Sequence, residues 1–157
     1  MKAVVQRVKR ASVLVEGQIK GSIGNGLLVY LGVSKNDTEK DADWLAEKIV
    51  NLRIFSDENE KMNLSIEQIK NTETGLEKGI LVISQFTLLG DCIKGRRPYF
   101  GEAADPVIAQ SLYEYFIDRI KKQNIKCEAG VFQAKMEVES INWGPVTILL
   151  DTAGLTH

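Results

Sequence analysis

The hydrophobic period of this chain changes from two to 3.6 and back, twice, and few architectures satisfy that order. "KAVVQRVKRASVLVEG" at 2–17 alternates apolar and polar residues, as a half-buried strand does. "GLLVYLGV" at 26–33 is apolar on both faces, as a central strand is. Residues 37–55 then place Ala42, Leu45, Ile49 and Leu52 on one helical face, with Asp37 or Thr38 as cap. "ILVISQFTLLG" at 80–90 returns to a buried strand, and Asp105-Pro106 opens a second helix with the stripe Ile108, Leu112, Phe116 and Ile120. Strands are predicted again at 126–132, 134–142 and 145–151. Turns are read at "EGQIKG" and at Asn25-Gly26, and 56–79 reads as loop with one weak strand around Met62 to Ile66. The expectation is an α+β fold over 1–157 as one domain: an antiparallel β-sandwich or open barrel flanked by two main helices.

What the chain does is bounded first by what it lacks. The apolar run at 26–33 is far short of the roughly 20 residues that span a bilayer. "MKAVVQRVKR" has no signal-peptide core. A cytoplasmic protein with no membrane partner is expected. The net charge of −1 demands no nucleic acid, so any RNA contact must be local, and no DNA partner is expected. The single histidine is His157, at the end of the sequence, and Cys92 and Cys127 have no CxxC spacing. A Ser-His-Asp arrangement or a His/Cys metal site therefore has no evident ligands, and neither metal nor cofactor is expected. Both cysteines read as reduced packing residues.

Three stretches carry polar chemistry. "SQFTL" brings Ser84, Gln85, Phe86 and Thr87 to a strand end, where sites often lie. "KGRRPYF" sets Lys94, Arg96 and Arg97 beside Tyr99 and Phe100 on an irregular loop, a combination that holds phosphates and stacks bases. "NWGPVT" at 142–147 interrupts strand-forming sequence with Gly144-Pro145, although proline cannot donate to a ladder. Taken alone, the first reads rather as ordinary alternation and the second as a solvated charged face.

In this order, with "FQAKM" at 132–136 between them and "MKAVVQRVKRASVLVEGQIKGSIGNGLLVYLGV" at the start, these stretches resemble the D-aminoacyl-tRNA deacylases from Met1 to about Asp151. The resemblance implies a cytosolic homodimer that hydrolyses the ester joining a D-amino acid, or glycine, to the 3′-terminal ribose of tRNA. It implies that Ser84, Gln85, Phe86 and Thr87 line the pocket, and that Phe132, Met136, Lys94, Arg96 and Arg97 contribute to substrate binding. It also implies that Gly144-Pro145, with a cis bond, reaches into the partner's pocket and excludes L-amino acids. Two mechanisms stay open: assistance by the neighbouring ribose hydroxyl, which needs no histidine, and Thr87 as nucleophile. A non-catalytic aminoacyl-tRNA-binding module on the same fold is the alternative function. The chain departs from the family at Gln133, often glycine, at Trp143, often aspartate, and in a longer 67–79 loop.

Overall fold

The computed structural model of the protein describes residues 1–71 and 75–155; part of the 67–79 loop and His157 lie outside the described residues. The strand that pairs with most others in the sheet is β1 (Lys2–Val15). One edge of β1 meets β2 (Gln18–Ile23) and β3 (Gly26–Gly32), and the other meets β8 (Glu137–Asp151), all antiparallel. The β1–β2 turn falls at Glu16-Gly17, both with positive φ (52° and 74°), as the strand twist of a two-residue hairpin requires.

Asn25-Gly26 is not a tight turn, contrary to the expectation. The pairs Ala11↔Ile23 and Val8↔Gly26 keep one register, so β2 and β3 run on in line along β1. The glycines here serve close approach rather than reversal. A Cβ on Gly24 would lie 2.6 Å from the Leu76 carbonyl, and one on Gly26 would overlap the Gly79 carbonyl of the neighbouring strand.

From β3 onward the pairing direction changes. Helix α1 (Glu39–Val50) carries the chain to β6 (Gly79–Ser84), which lies parallel to β3, and helix α2 (Pro106–Lys121) carries it to β7 (Cys127–Ala129), parallel to β6. The short pair β4 (Phe55–Ser56) and β5 (Met62–Leu64) lies apart. The α+β class with two main helices holds, but the all-antiparallel expectation is corrected at β3, β6 and β7. Each of these joins is a strand–helix–strand crossover, and a crossover returns the chain in the same direction.

The two helices cover one face of the sheet, where Val5, Val29 and Val82 pack with Leu45, Ile49 and Phe116. On α1, Thr38 caps as expected, its backbone N–H and hydroxyl both donating to the Asp41 carboxylate at 2.9 Å. On α2 the buried stripe is Leu112, Tyr113, Phe116, Ile117 and Ile120, while Ile108 remains 47% exposed, so the expected stripe begins one turn too early. The other sheet face closes on a smaller core of Val8, Ala11, Val13, Ile23, Leu28, Leu81 and Ile83. Exposed Lys9 and Arg10 mark a bulge in β1 that keeps Val8 and Ala11 on that one face.

Two further boundaries differ from expectation. The strand read at 80–90 ends at Ser84: Gln85 N–H makes the last bond toward β3, to the Leu31 carbonyl at 2.8 Å, and Phe86–Leu89 then wind into a 3₁₀ turn. The strands read at 134–142 and 145–151 are one strand, β8, which passes through Gly144-Pro145. The strand read at 126–132 shortens to β7.

Candidate active site

Parallel strands joined by crossovers leave a crevice at their carboxyl ends, and there the chain has a cavity of about 770 Å³. Leu31 and Val33 stand at the end of β3 and just after it, Ile83 and Ser84 end β6, and Gln85 and Phe86 follow it into the 3₁₀ turn. Ala103, Ala104, Pro106 and Ala109 belong to the start of α2 and its approach, and the segment Phe132 to Met136, with Val138, closes the far side. Small residues on the helix side and aromatic or thioether side chains opposite make a mostly apolar chamber, with Ser84 and Gln85 as polar groups in its wall.

The wall is braced from behind. Tyr113 of α2 donates its hydroxyl to the Val82 carbonyl at 2.9 Å, with the Gly130 carbonyl at 3.3 Å, and its ring lies 5.9 Å from Phe132. Burial pushes the Tyr113 phenol above its ordinary range, so it stays a neutral donor at every physiological pH. Met136 packs on Gly130, where a Cβ would lie 2.5 Å from its sulfur.

Of the residues singled out from sequence, Ser84, Gln85, Phe86, Phe132 and Met136 meet in this wall, with Gln133 beside them. Thr87 stands just outside it, exposed on the 3₁₀ turn, and its hydroxyl accepts from the Gln85 side-chain amide. Burial pushes the Cys127 thiol up to about 12, so it is protonated and structural, while Cys92 is exposed away from the cavity wall.

Lys94, Arg96 and Arg97 also lie outside the cavity, on a ribbon closed by reciprocal backbone bonds between Asp91 and Tyr99 (2.8 and 2.9 Å), with Gly95 at φ +76°. All three are exposed, and among the described residues none has an ion-pair partner. The ribbon joins the cavity rim through Phe100, whose ring meets Phe86 edge-on at 5.0 Å.

Gly144 and Pro145 do not line this cavity. Trp143 to Val146 stand opposite the single residue Arg7, between the pairs Gln6↔Thr147 and Val8↔Asn142, so β8 throws out an exposed tip. The Gly144–Pro145 peptide is cis, and Gly144 has φ +126°. The tip is tied down at both ends: the Asn142 carboxamide accepts from Val146 N–H at 3.0 Å and donates to the Thr147 hydroxyl at 3.1 Å.

Arg7 holds the tip from below, and the sequence reading passed over it, as it did Tyr113. Only 6% exposed, its guanidinium donates to the Trp143 carbonyl at 2.9 Å and to the Ile54 carbonyl, with the Trp143 ring 5.1 Å away. Burial lowers its affinity for the proton, yet a guanidinium starts so high that it stays charged. Lys9 lies 5.9 Å from the same ring. The signal was present in β1: Ala3, Val5 and Arg7 share one phase of the strand, and an arginine on the inward phase must find acceptors there.

Comparison with known proteins agrees over nearly the whole length. Residues 4–151 match the family described as D-Tyr-tRNA(Tyr) deacylase. A protein of Koribacter versatilis named D-aminoacyl-tRNA deacylase is 57% identical over 152 residues, covering 97% of each chain. One of the same name from Thermotoga petrophila is 51% identical over 155 residues, covering 99% of each. The solved structure of a protein named c-Myc DNA Unwinding Element Binding Protein superposes with a TM-score of 0.85 at 40% identity, over 96% of this chain and 98% of that one.

Proposed function

This chain belongs to the D-Tyr-tRNA(Tyr) deacylase family and is a hydrolase of D-aminoacyl-tRNA, and from that premise we propose how its cavity and its tip divide the work between two copies of the chain. The carrying observation is that the tip is braced by Arg7 and Asn142, exposed, and absent from the wall of its own cavity, which stands open. A rigid projection with no task in its own chain suits the neighbouring site of a homodimer, and a two-fold interface supplies both halves at once.

In this reading the aminoacyl ester enters the cavity past Phe86 and Phe132, with Met136 and the alanines around the amino-acid side chain. Swapping D for L at the α-carbon exchanges the hydrogen and side-chain directions. The partner's Gly144-Pro145 backbone occupies the direction an L side chain would take. A thousandfold preference needs only about 4 kcal/mol, which steric exclusion in a closed site supplies. Glycine has no side chain to exclude and passes, so glycyl-tRNA is a second substrate. The enzyme acts in the cytoplasm, where charged tRNA is used.

The substrate's own ribose hydroxyl, adjacent to the ester, assists a water that attacks the acyl carbon; backbone N–H groups at the start of the 3₁₀ turn receive the developing oxyanion, and the acyl C–O bond then breaks, leaving the proton on the ribose oxygen and the amino acid free. Thr87 accepts a hydrogen bond from Gln85, and no general base stands next to it. Thr87→Ala is therefore expected to lower kcat/KM by roughly 5- to 150-fold, the equivalent of about 1 to 3 kcal/mol. A loss of many orders of magnitude, with an acyl-enzyme ester trapped on Thr87 in the parent protein, assigns it as nucleophile instead.

The direct test charges tRNA with D-tyrosine, L-tyrosine or glycine and follows amino-acid release by the purified protein. Release of D-tyrosine and glycine, with L-tyrosyl-tRNA left intact, is the expected result. Binding of all three without release would return the chain to a non-catalytic module.

A further inference from the structure

We propose that the 91–99 ribbon guides the tRNA through Lys94, Arg96 and Arg97, and that Tyr99 on it is a stacking platform for an unpaired base in the 3′ strand, upstream of the nucleotide that carries the amino acid; this rests on the deacylase reading of the cavity. Tyr99 is 70% exposed, whereas its neighbour Phe100 turns inward onto Phe86 and Gly90. Exposure here is not looseness. Both backbone groups of Tyr99 are bonded to Asp91, and the hydroxyl end of its ring lies against Gly101, where a Cβ would fall 2.3 Å from the ring carbon that bears the hydroxyl. That end of the ring is thus fixed by backbone, and the rest faces solvent.

The surroundings select the ligand. Lys94, Arg96 and Arg97 share the ribbon with Tyr99 and have no acidic partner among the described residues. Unpaired cations beside a supported aromatic face suit phosphates and a stacked base, and every base has a π-face to offer. Position then selects which base. Tyr99 is not part of the cavity wall, while Phe86 is, and the Phe86–Phe100 contact roots the ribbon at the rim. A strand whose terminal ribose sits in the cavity passes the ribbon with its preceding nucleotides.

The test compares two substrates. Tyr99→Ala is expected to lower kcat/KM on D-tyrosyl-tRNA by about tenfold, while Tyr99→Phe stays within about twofold of the parent. Hydrolysis of the D-tyrosyl ester of adenosine, which lacks the upstream nucleotides, should be unchanged in both variants. If the small ester turns over too slowly in the parent, inhibition by 3′-end oligonucleotides of increasing length replaces it, and Tyr99→Ala should remove the gain in affinity on lengthening. Full activity of Tyr99→Ala on tRNA, equal loss on both substrates, Tyr99→Phe as weak as Tyr99→Ala, or a changed dimer mass would each overturn the assignment. The triple variant K94E/R96E/R97E keeps the two readings apart. If it retains the parent's salt dependence of tRNA binding, the ribbon is not a guide; if it loses that dependence while Tyr99→Ala is silent, only the stacking inference fails.

Discussion

Gly144→Ala is expected to lower hydrolysis of D-tyrosyl-tRNA by at least about a hundredfold with the fold intact, because a placement error of about 1 Å at a closed site is worth that much. Alanine is strained at φ +126° whatever the space around it, at about 1 to 3 kcal/mol. The space is missing as well: the new Cβ would lie 2.5 Å from Arg7 Nη2 and 3.0 Å from a Val146 methyl. Arg7 cannot yield without releasing the Trp143 and Ile54 carbonyls, so the tip moves instead.

The same variant tests where the tip acts. Mixed with a pocket-filled Ala134→Trp chain under conditions that exchange subunits, it should recover about a quarter of the parent activity, since half of random dimers are mixed and each mixed dimer has one intact site. No recovery, with mixed dimers shown to form, would place the tip's action in its own chain. A monomeric mass for a fully active parent would remove the shared site altogether.

Arg7→Ala should be the most damaging substitution for stability, at about 3 to 5 kcal/mol in denaturant unfolding. Two carbonyls lose a charged donor, at about 1 to 3 kcal/mol each, and the aliphatic stem leaves a void under Trp143. Beyond stability, the variant should admit L-tyrosyl-tRNA or lose both isomers, because the tip has lost its anchor. Arg7→Lys keeps the charge but cannot fork to two carbonyls, and an intermediate result is expected. Unaltered stability together with unaltered D-over-L preference would show that Asn142 alone holds the tip.

Much of the candidate cavity wall was legible because its signals are local. Ser84 to Phe86 stand at a strand end in sequence and in structure, and "FQAKM" delivers Phe132 and Met136 to the same wall. Arg7 was harder to see, since its acceptors on Ile54 and Trp143 are far from it in sequence. Tyr113 was overlooked because it sits beside the expected α2 stripe, and its carbonyl partners come from β6 and the segment after β7.

The sequence by itself determined the two helices and the main strands, a cap at Asp37 or Thr38 and the turn after β1, for each depends on neighbours within a few residues. Only the tertiary structure decided that β2 and β3 run in line, that β3, β6 and β7 are parallel, and that β8 continues through the Gly-Pro step. It also decided that the tip stands outside the wall of its own chain's cavity. Pairing direction and register are properties of two strands together, and alternation within one strand is the same whichever neighbour it meets and whichever way that neighbour runs.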